Sequence, residues 1–232
     1  MADDLSDRWA KLKITDEECD VAELGEANED ELKGSIELSL VGKLLTIRAY
    51  NFEVMQRTLS QIWALNKGVI FRRIENNLFV VQLFHWRDKE KVIDGAPWTF
   101  DNHLILLKEM HHNEQPENVE IKYCPFWLRL YNLPFDSRSN ADVRLIPEKI
   151  GIVLEVEDDV LGWDKSRRVR VLVDTTKALR RLQKIRCRDG STTTVHIKYE
   201  RLSIFYFLCG LIGHSERDCP TVDDESEEVE KQ

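Results

Sequence analysis

The chemistry most specifically written in this 232-residue chain lies near its end, in Cys209-Gly210-Leu211-Ile212-Gly213-His214-Ser215-Glu216-Arg217-Asp218-Cys219. A short loop that supplies four nitrogen and sulfur ligands to zinc has the spacing C-x2-C-x4-H-x4-C, and Cys209, His214 and Cys219 occupy its last three ligand positions. Gly210 and Gly213 fall where tight turns let backbone amides approach the thiolates. The first ligand position is held by Tyr206. A phenol with a pKa of about 10 is a poor zinc ligand at neutral pH. The spacing therefore predicts a degenerate zinc site whose affinity is lowered by the missing thiolate, unless the fold brings Cys124 or Cys187 close.

A second group of residues suggests phosphate binding. The net charge of -9 conceals an asymmetry: residues 1–34 hold 12 acids and 4 bases, residues 221–232 hold 6 acids and 1 base, and residues 165–201 hold 12 bases and 3 acids. An acidic arm and an acidic tail thus flank a basic module, a pattern that points to a polyanionic partner. Within that module Asp189-Gly190 is a strong hairpin signal. Side chains alternate along a strand, so Lys184, Arg186 and Arg188 share one face, with His196 and Lys198 beside them on the partner strand and Arg168 and Arg170 on the next. Nothing acidic is expected to balance that face, and together these residues make a footprint for phosphates. The competing reading is an ordinary solvated sheet face. The tail Asp223–Glu230 could compete with nucleic acid for the same bases.

The elements that must hold these groups read as two successive α+β units. From Ser35, Ile36, Leu38 and Leu40 alternate as a strand; Asn51 caps a helix with Phe52, Met55, Leu59 and Ile62 on one face. Two strands follow, Val69–Ile74 and Leu78–Phe84, joined through Glu75-Asn76-Asn77, with Phe79 and Phe84 read as core. Asp88 is expected to cap a short helix ended by Gly95 and Pro97, and His103–Leu107 is a buried strand. The order βαββαβ over residues 35–110 predicts a ferredoxin-like, RNA-recognition-motif-like domain. After a polar linker, residues 119–202 form a second small α+β unit. It has a strand over Ile121–Leu133, a helix over Ser139–Ile150 interrupted by Pro147, strands at Ile152–Val156 and through Val169, Val171 and Val173, and then the basic hairpin from Ile185–Arg188 to Thr193–Tyr199. Residues 203–220 form the degenerate knuckle, between the acidic arm (1–34) and the acidic tail (221–232).

Composition excludes several classes. At 42% apolar and 32% charged, with 10 Gly and 6 Pro, the chain is neither collagen-like nor low-complexity. It has no apolar stretch of spanning length, and Met1–Asp20 lacks the apolar core of a secretory signal. Five dispersed cysteines do not make a disulfide framework, so an intracellular location, nuclear or cytoplasmic, is expected. The sequence has no G-x-S-x-G, Walker A, G-x-G-x-x-G or H-E-x-x-H motif, and Asp158-Asp159 with Asp164 reads as an acidic loop; a non-catalytic protein is expected.

The βαββαβ order with Trp63 and Pro97-Trp98, the segment Phe126-Trp127-Leu128-Arg129-Leu130-Tyr131-Asn132-Leu133-Pro134, and Tyr199-Glu200-Arg201-Leu202 leading into Cys-Gly-x-x-Gly-His resemble one family. These features resemble plant proteins derived from the nucleic-acid-binding reading frame of LINE-type (non-LTR) retrotransposons, which pair an uncharacterised N-terminal domain with a CCHC zinc knuckle. The resemblance spans roughly residues 35–220 and implies single-stranded nucleic acid, above all RNA, as partner and zinc as cofactor. It further implies Phe207, Leu211 and Ile212 as apolar contacts to bases and Arg217 as a phosphate contact. The expected function is weakly sequence-selective nucleic-acid binding. A protein-interaction module that has lost that binding is the alternative.

Overall fold

The computed structural model describes residues 34–112, 114–159, 164–206, 208–216 and 219. Residues 1–33 of the acidic arm and the acidic tail, along with Phe207 and Arg217, lie outside the described residues. The part from Ser35 onward is α+β and is built on two five-stranded antiparallel sheets.

The first sheet contains β1 (Ser39–Leu44), β2 (Val69–Arg73), β3 (Leu78–Leu83), β4 (Trp98–Phe100) and β5 (His103–Glu109), in the order β2-β3-β1-β5-β4. Without β4 this is the ferredoxin-like order. Helices α1 (Phe52–Trp63) and α2 (Trp86–Asp94) supply the two crossovers. Asn51 caps α1 by accepting the Val54 amide at 3.1 Å, and Met55, Leu59 and Trp63 are buried on its inner face. These three pack with Leu40, Leu44, Phe79, Val81, Leu83 and Ile105 in one apolar cluster.

Four local expectations are corrected. Residues 34–37 are helical, and the first strand starts at Ser39 rather than Ser35. His85, not Asp88, caps α2: its Nδ1 accepts the Arg87 amide at 3.1 Å. The Asp88 carboxylate is buried and accepts the backbone amides of Asn66 (3.2 Å) and Lys67 (3.0 Å). Burial would raise its pKa, but these amide donors outweigh burial and hold it below the usual carboxylate range. The short strand β4 is additional. It turns into β5 through Asp101 and Asn102, both at positive φ (47° and 64°), as a two-residue hairpin turn requires. Phe79 is core, but Phe84, just beyond β3, is 49% exposed.

The second sheet contains β6 (Tyr123–Tyr131), β7 (Gly151–Val156), β8 (Ser166–Asp174), β9 (Leu182–Arg186) and β10 (Thr192–Tyr199), in the order β7-β8-β6-β10-β9. Strand for strand this repeats the first sheet, with β6 in the place of β1, β7 and β8 in those of β2 and β3, and β9 and β10 in those of β4 and β5. Helical structure is reduced, however. The helix expected over Ser139–Ile150 is only α3 (Asn140–Arg144), capped by Ser139, followed by a 3-10 turn at Pro147–Lys149. Proline lacks the amide an α-helix would need there. No helix joins β8 to β9. The predicted strand at Ile185–Arg188 starts earlier, at Leu182.

The two units share one apolar core. Val41, Leu104 and Leu106, on the face of the first sheet away from α1 and α2, belong to the same cluster as Phe126, Leu128, Leu130, Val169, Val171, Val195 and Ile197 of the second. Val143 and Ile146, from the segment after β6, join it as well, so the helix-bearing face of the second sheet points inward.

Candidate nucleic-acid interface and metal centre

Strand pairing decides which side chains share the outer face of the second sheet. Along β6 Cys124, Phe126, Leu128 and Leu130 are buried, so Pro125, Trp127, Arg129 and Tyr131 point the other way. Arg129 lies opposite Arg168 on β8 and Lys198 on β10; Trp127 lies opposite Arg170, and Tyr131 opposite His196. On β9 Lys184 and Leu182 pair with Thr194 and His196, and Arg186 with Thr192. Arg168, Arg170, Lys184, Arg186, His196 and Lys198 therefore lie on one face. Arg188 does not join them: it sits beyond β9 and donates to the Asp142 carboxylate of α3 at 3.1 Å.

The expectation that nothing acidic balances this face is corrected. Glu200 accepts from Arg168 Nε (3.0 Å) and Nη2 (2.8 Å) and from Arg129 Nε (2.6 Å), while Glu157 takes Arg168 Nη1 at 2.9 Å. The Arg168 hydrogen bonds, with those of Arg129, hold the Glu200 carboxyl below its ordinary pKa despite partial burial. The same guanidinium lies 3.9 Å from the centroid of the Trp127 ring, a cation–π contact. Arg170 reaches the C-terminal end of α2, donating to the carbonyls of Asp94 (2.9 Å) and Ile93 (3.3 Å). Arg168 and Arg170 are thus spent on intramolecular contacts. Lys184, Arg186, His196 and Lys198 are exposed and form no ion pair with a carboxylate among the described residues.

Two aromatic residues on this face, Trp127 and Tyr131, belong to the surface and were not among the expected contacts. The signal for them was the alternation of β6 itself, which puts both rings on the side opposite Phe126. Lys198 Nζ lies 5.0 Å from the centroid of Tyr131.

At the knuckle, the ligand atoms of Cys209, His214 and Cys219 all lie within 4.8 Å of one another. The Leu211 amide donates to Cys209 Sγ at 3.4 Å, which is how a tight loop stabilises a thiolate. Tyr206 is buried, its ring 6.1 Å from that of His214. Neither Cys124 nor Cys187 joins the cluster: Cys124 is in the shared core, where burial pushes its thiol pKa up, and Cys187 follows β9. The donor set fits zinc through three protein ligands, Cys209, His214 and Cys219. Among the described residues no fourth cysteine or histidine joins the cluster.

The two glycines matter for docking as well as for the turn. Gly210 and Gly213 have positive φ (73° and 98°), and a Cβ at Gly210 would meet Ala178 at 3.1 Å while one at Gly213 would meet Leu45 at 3.3 Å. The loop is held between the units by Leu179 N to Gly210 O (2.8 Å) and Ile204 N to Asn102 O (2.9 Å), and Ile212 enters the core. Asp158 and Asp159, the acidic loop, are tied up by Asn140 (3.2 Å) and by the buried Arg167 (3.7 Å).

Comparison with known families divides the chain in the same way. Residues 32–118 match the model described as a domain of unknown function (DUF4283), and residues 173–221 match a CCHC-type zinc knuckle. The first match contains the whole first sheet. The second begins at the end of β8, and so takes in the basic hairpin together with Cys209, His214 and Cys219. No curated protein matches the chain significantly. A zinc knuckle points to nucleic-acid binding. Among the described residues no helix is long and apolar enough to cross a membrane.

Proposed function

We propose that this chain is a non-catalytic, single-strand nucleic-acid-binding protein of LINE-type retrotransposon origin, with RNA as its main partner. The observation that carries the reading is the exposed set Lys184, Arg186, His196 and Lys198, gathered on one sheet face next to Tyr131. Four cationic or titratable groups without carboxylate partners among the described residues suit a phosphate backbone. The zinc-knuckle match supports the same class of partner, and its pairing with the uncharacterised N-terminal domain accords with the proposed lineage. Zinc is held by Cys209, His214 and Cys219, weakly because Tyr206 takes the place of a thiolate. The four described cysteines are outside any disulfide, which suits a reducing, intracellular setting.

The test is fluorescence anisotropy with labelled single-stranded RNA and DNA at two salt concentrations, with zinc and with chelator. The reading expects salt-sensitive binding that survives chelation, because the basic face does not depend on the metal. Binding lost with chelator would shift the function to the knuckle. No binding under any condition would overturn the reading and favour a protein-interaction module.

A further inference from the structure

The outer face of the second sheet divides into two halves of different chemistry. At one end the Trp127 ring is covered by Arg168, itself fixed by Glu200 and Glu157, and Arg170 is bound to α2. At the other end a row crosses three strands: Leu182 pairs with His196, and His196 with Tyr131. Leu182 is 53% exposed, His196 is exposed and Tyr131 is half-buried. Residues directly opposite on antiparallel strands lie about 5 Å apart, so the three present one continuous, flat and largely uncharged strip. Lys184 and Lys198, each two residues further along its strand, border that strip with positive charge.

We infer that this strip is a base-stacking site, with Tyr131 as its platform for an unpaired nucleobase and Lys184 and Lys198 holding the flanking phosphates. The inference rests on the nucleic-acid reading above and gives its preference for single strands a residue-level cause, because a base inside a duplex cannot turn its face to the sheet. Tyr131 provides a ring that any base can stack on, so the site distinguishes unpaired from paired nucleic acid without selecting sequence. Lys198 Nζ lies 5.0 Å from the Tyr131 centroid, but unlike Arg168 over Trp127 it is exposed and held by no carboxylate among the described residues, so it can swing from the ring to the flanking phosphate as a base stacks.

The probe is a labelled 12-nucleotide oligouridylate, titrated by anisotropy at low and high salt alongside a blunt RNA duplex of the same length. Tyr131→Phe keeps the ring and is expected to bind as the native chain does. Tyr131→Leu keeps apolar bulk without the ring, and Tyr131→Ala removes both. Each of these two is expected to bind the single strand about tenfold more weakly at either salt concentration, with an unchanged salt slope, since the lost contact is not ionic. The duplex should bind more weakly than the single strand to the native chain and respond little to either variant. Thermal unfolding of each variant identifies any that fail to fold, and Tyr131→Leu is the one expected to preserve packing. If Tyr131→Leu binds like the native chain while Lys184→Glu with Lys198→Glu weakens binding, the stacking site is overturned and the nucleic-acid reading stands. If neither change affects binding, both fall.

Discussion

The two sheets have the same strand order and make opposite use of one face. In the first, the face without helices carries Val41, Leu104 and Leu106 and is interior to the molecule. In the second, the corresponding face carries His196, Lys198 and Tyr131 and is open. One copy of the arrangement has become scaffold, its potential platform closed by the shared core, while the other keeps its platform free. The difference shows that a ferredoxin-like order says little about where a ligand binds until it is known which face is buried.

The largest effect should come from disturbing the closed face. Leu106→Ala removes fully buried methyl groups from the shared core and is expected to cost about 2–5 kcal/mol of unfolding free energy in urea titration. His196→Ala, at the open face, should stay within about 0.5 kcal/mol. Equal costs at the two positions would break the comparison. Next in size is the metal site: Tyr206→Cys completes the four-ligand set and should raise zinc affinity roughly 100-fold in a chelator competition, about one ligand's share of a structural site. An unchanged affinity would mean that the docked loop cannot bring a fourth sulfur to the metal.

A smaller effect is expected from charge on the open face. Replacing Lys184, Arg186 and Lys198 with Glu should lower the dependence of log affinity on log salt by about 2 for single-stranded RNA, at roughly 0.7 per phosphate contact. Glu200→Gln gives the smallest change and the most informative sign. It weakens the hold on Arg129 and Arg168, so stability should fall on the order of 1 kcal/mol at neutral pH. The same change leaves the open face more positive and should tighten RNA binding at low salt. The sign of the pH dependence follows from the direction of the Glu200 shift. Its folded-state pKa is depressed, so its contribution to stability is complete above the ordinary carboxylate range and is lost as pH falls through the depressed value. The variant should lose that part of the acid-side slope.

The alternation of β6, β8 and β10 was legible in the sequence, and with it the sidedness of Lys184, Arg186, His196 and Lys198. So were the Asn51 cap, the Asp189-Gly190 hairpin and the grouping of Cys209, His214 and Cys219, since each depends on residues a few positions apart. What could not be read locally was pairing over distance. Glu200, two residues past Lys198, shares that face by the same alternation, but its pairing with Arg168, 32 residues away, and that of Asp94 with Arg170, 76 residues away, come only from the fold. The Asp88 expectation failed for the same reason. A carboxylate near a helix start reads as a cap, but two amides 21 and 22 residues earlier in the chain claim it. The Ser139–Ile150 helix was shortened where the sequence warned of it, at Pro147. The docking of the knuckle through Gly210 and Gly213 had no local signal beyond the glycines themselves, because the atoms they make room for, Ala178 and Leu45, belong to different units.

The most direct test of this division is to map where single-stranded RNA touches the folded chain. Photo-crosslinking with 4-thiouridine-substituted RNA, followed by mass spectrometry of the adduct peptides, reads this out. Adducts at Tyr131 and within residues 182–198 are the predicted result. Adducts confined to residues 35–110, or to the knuckle alone, would contradict the assignment of the open sheet face as the nucleic-acid surface.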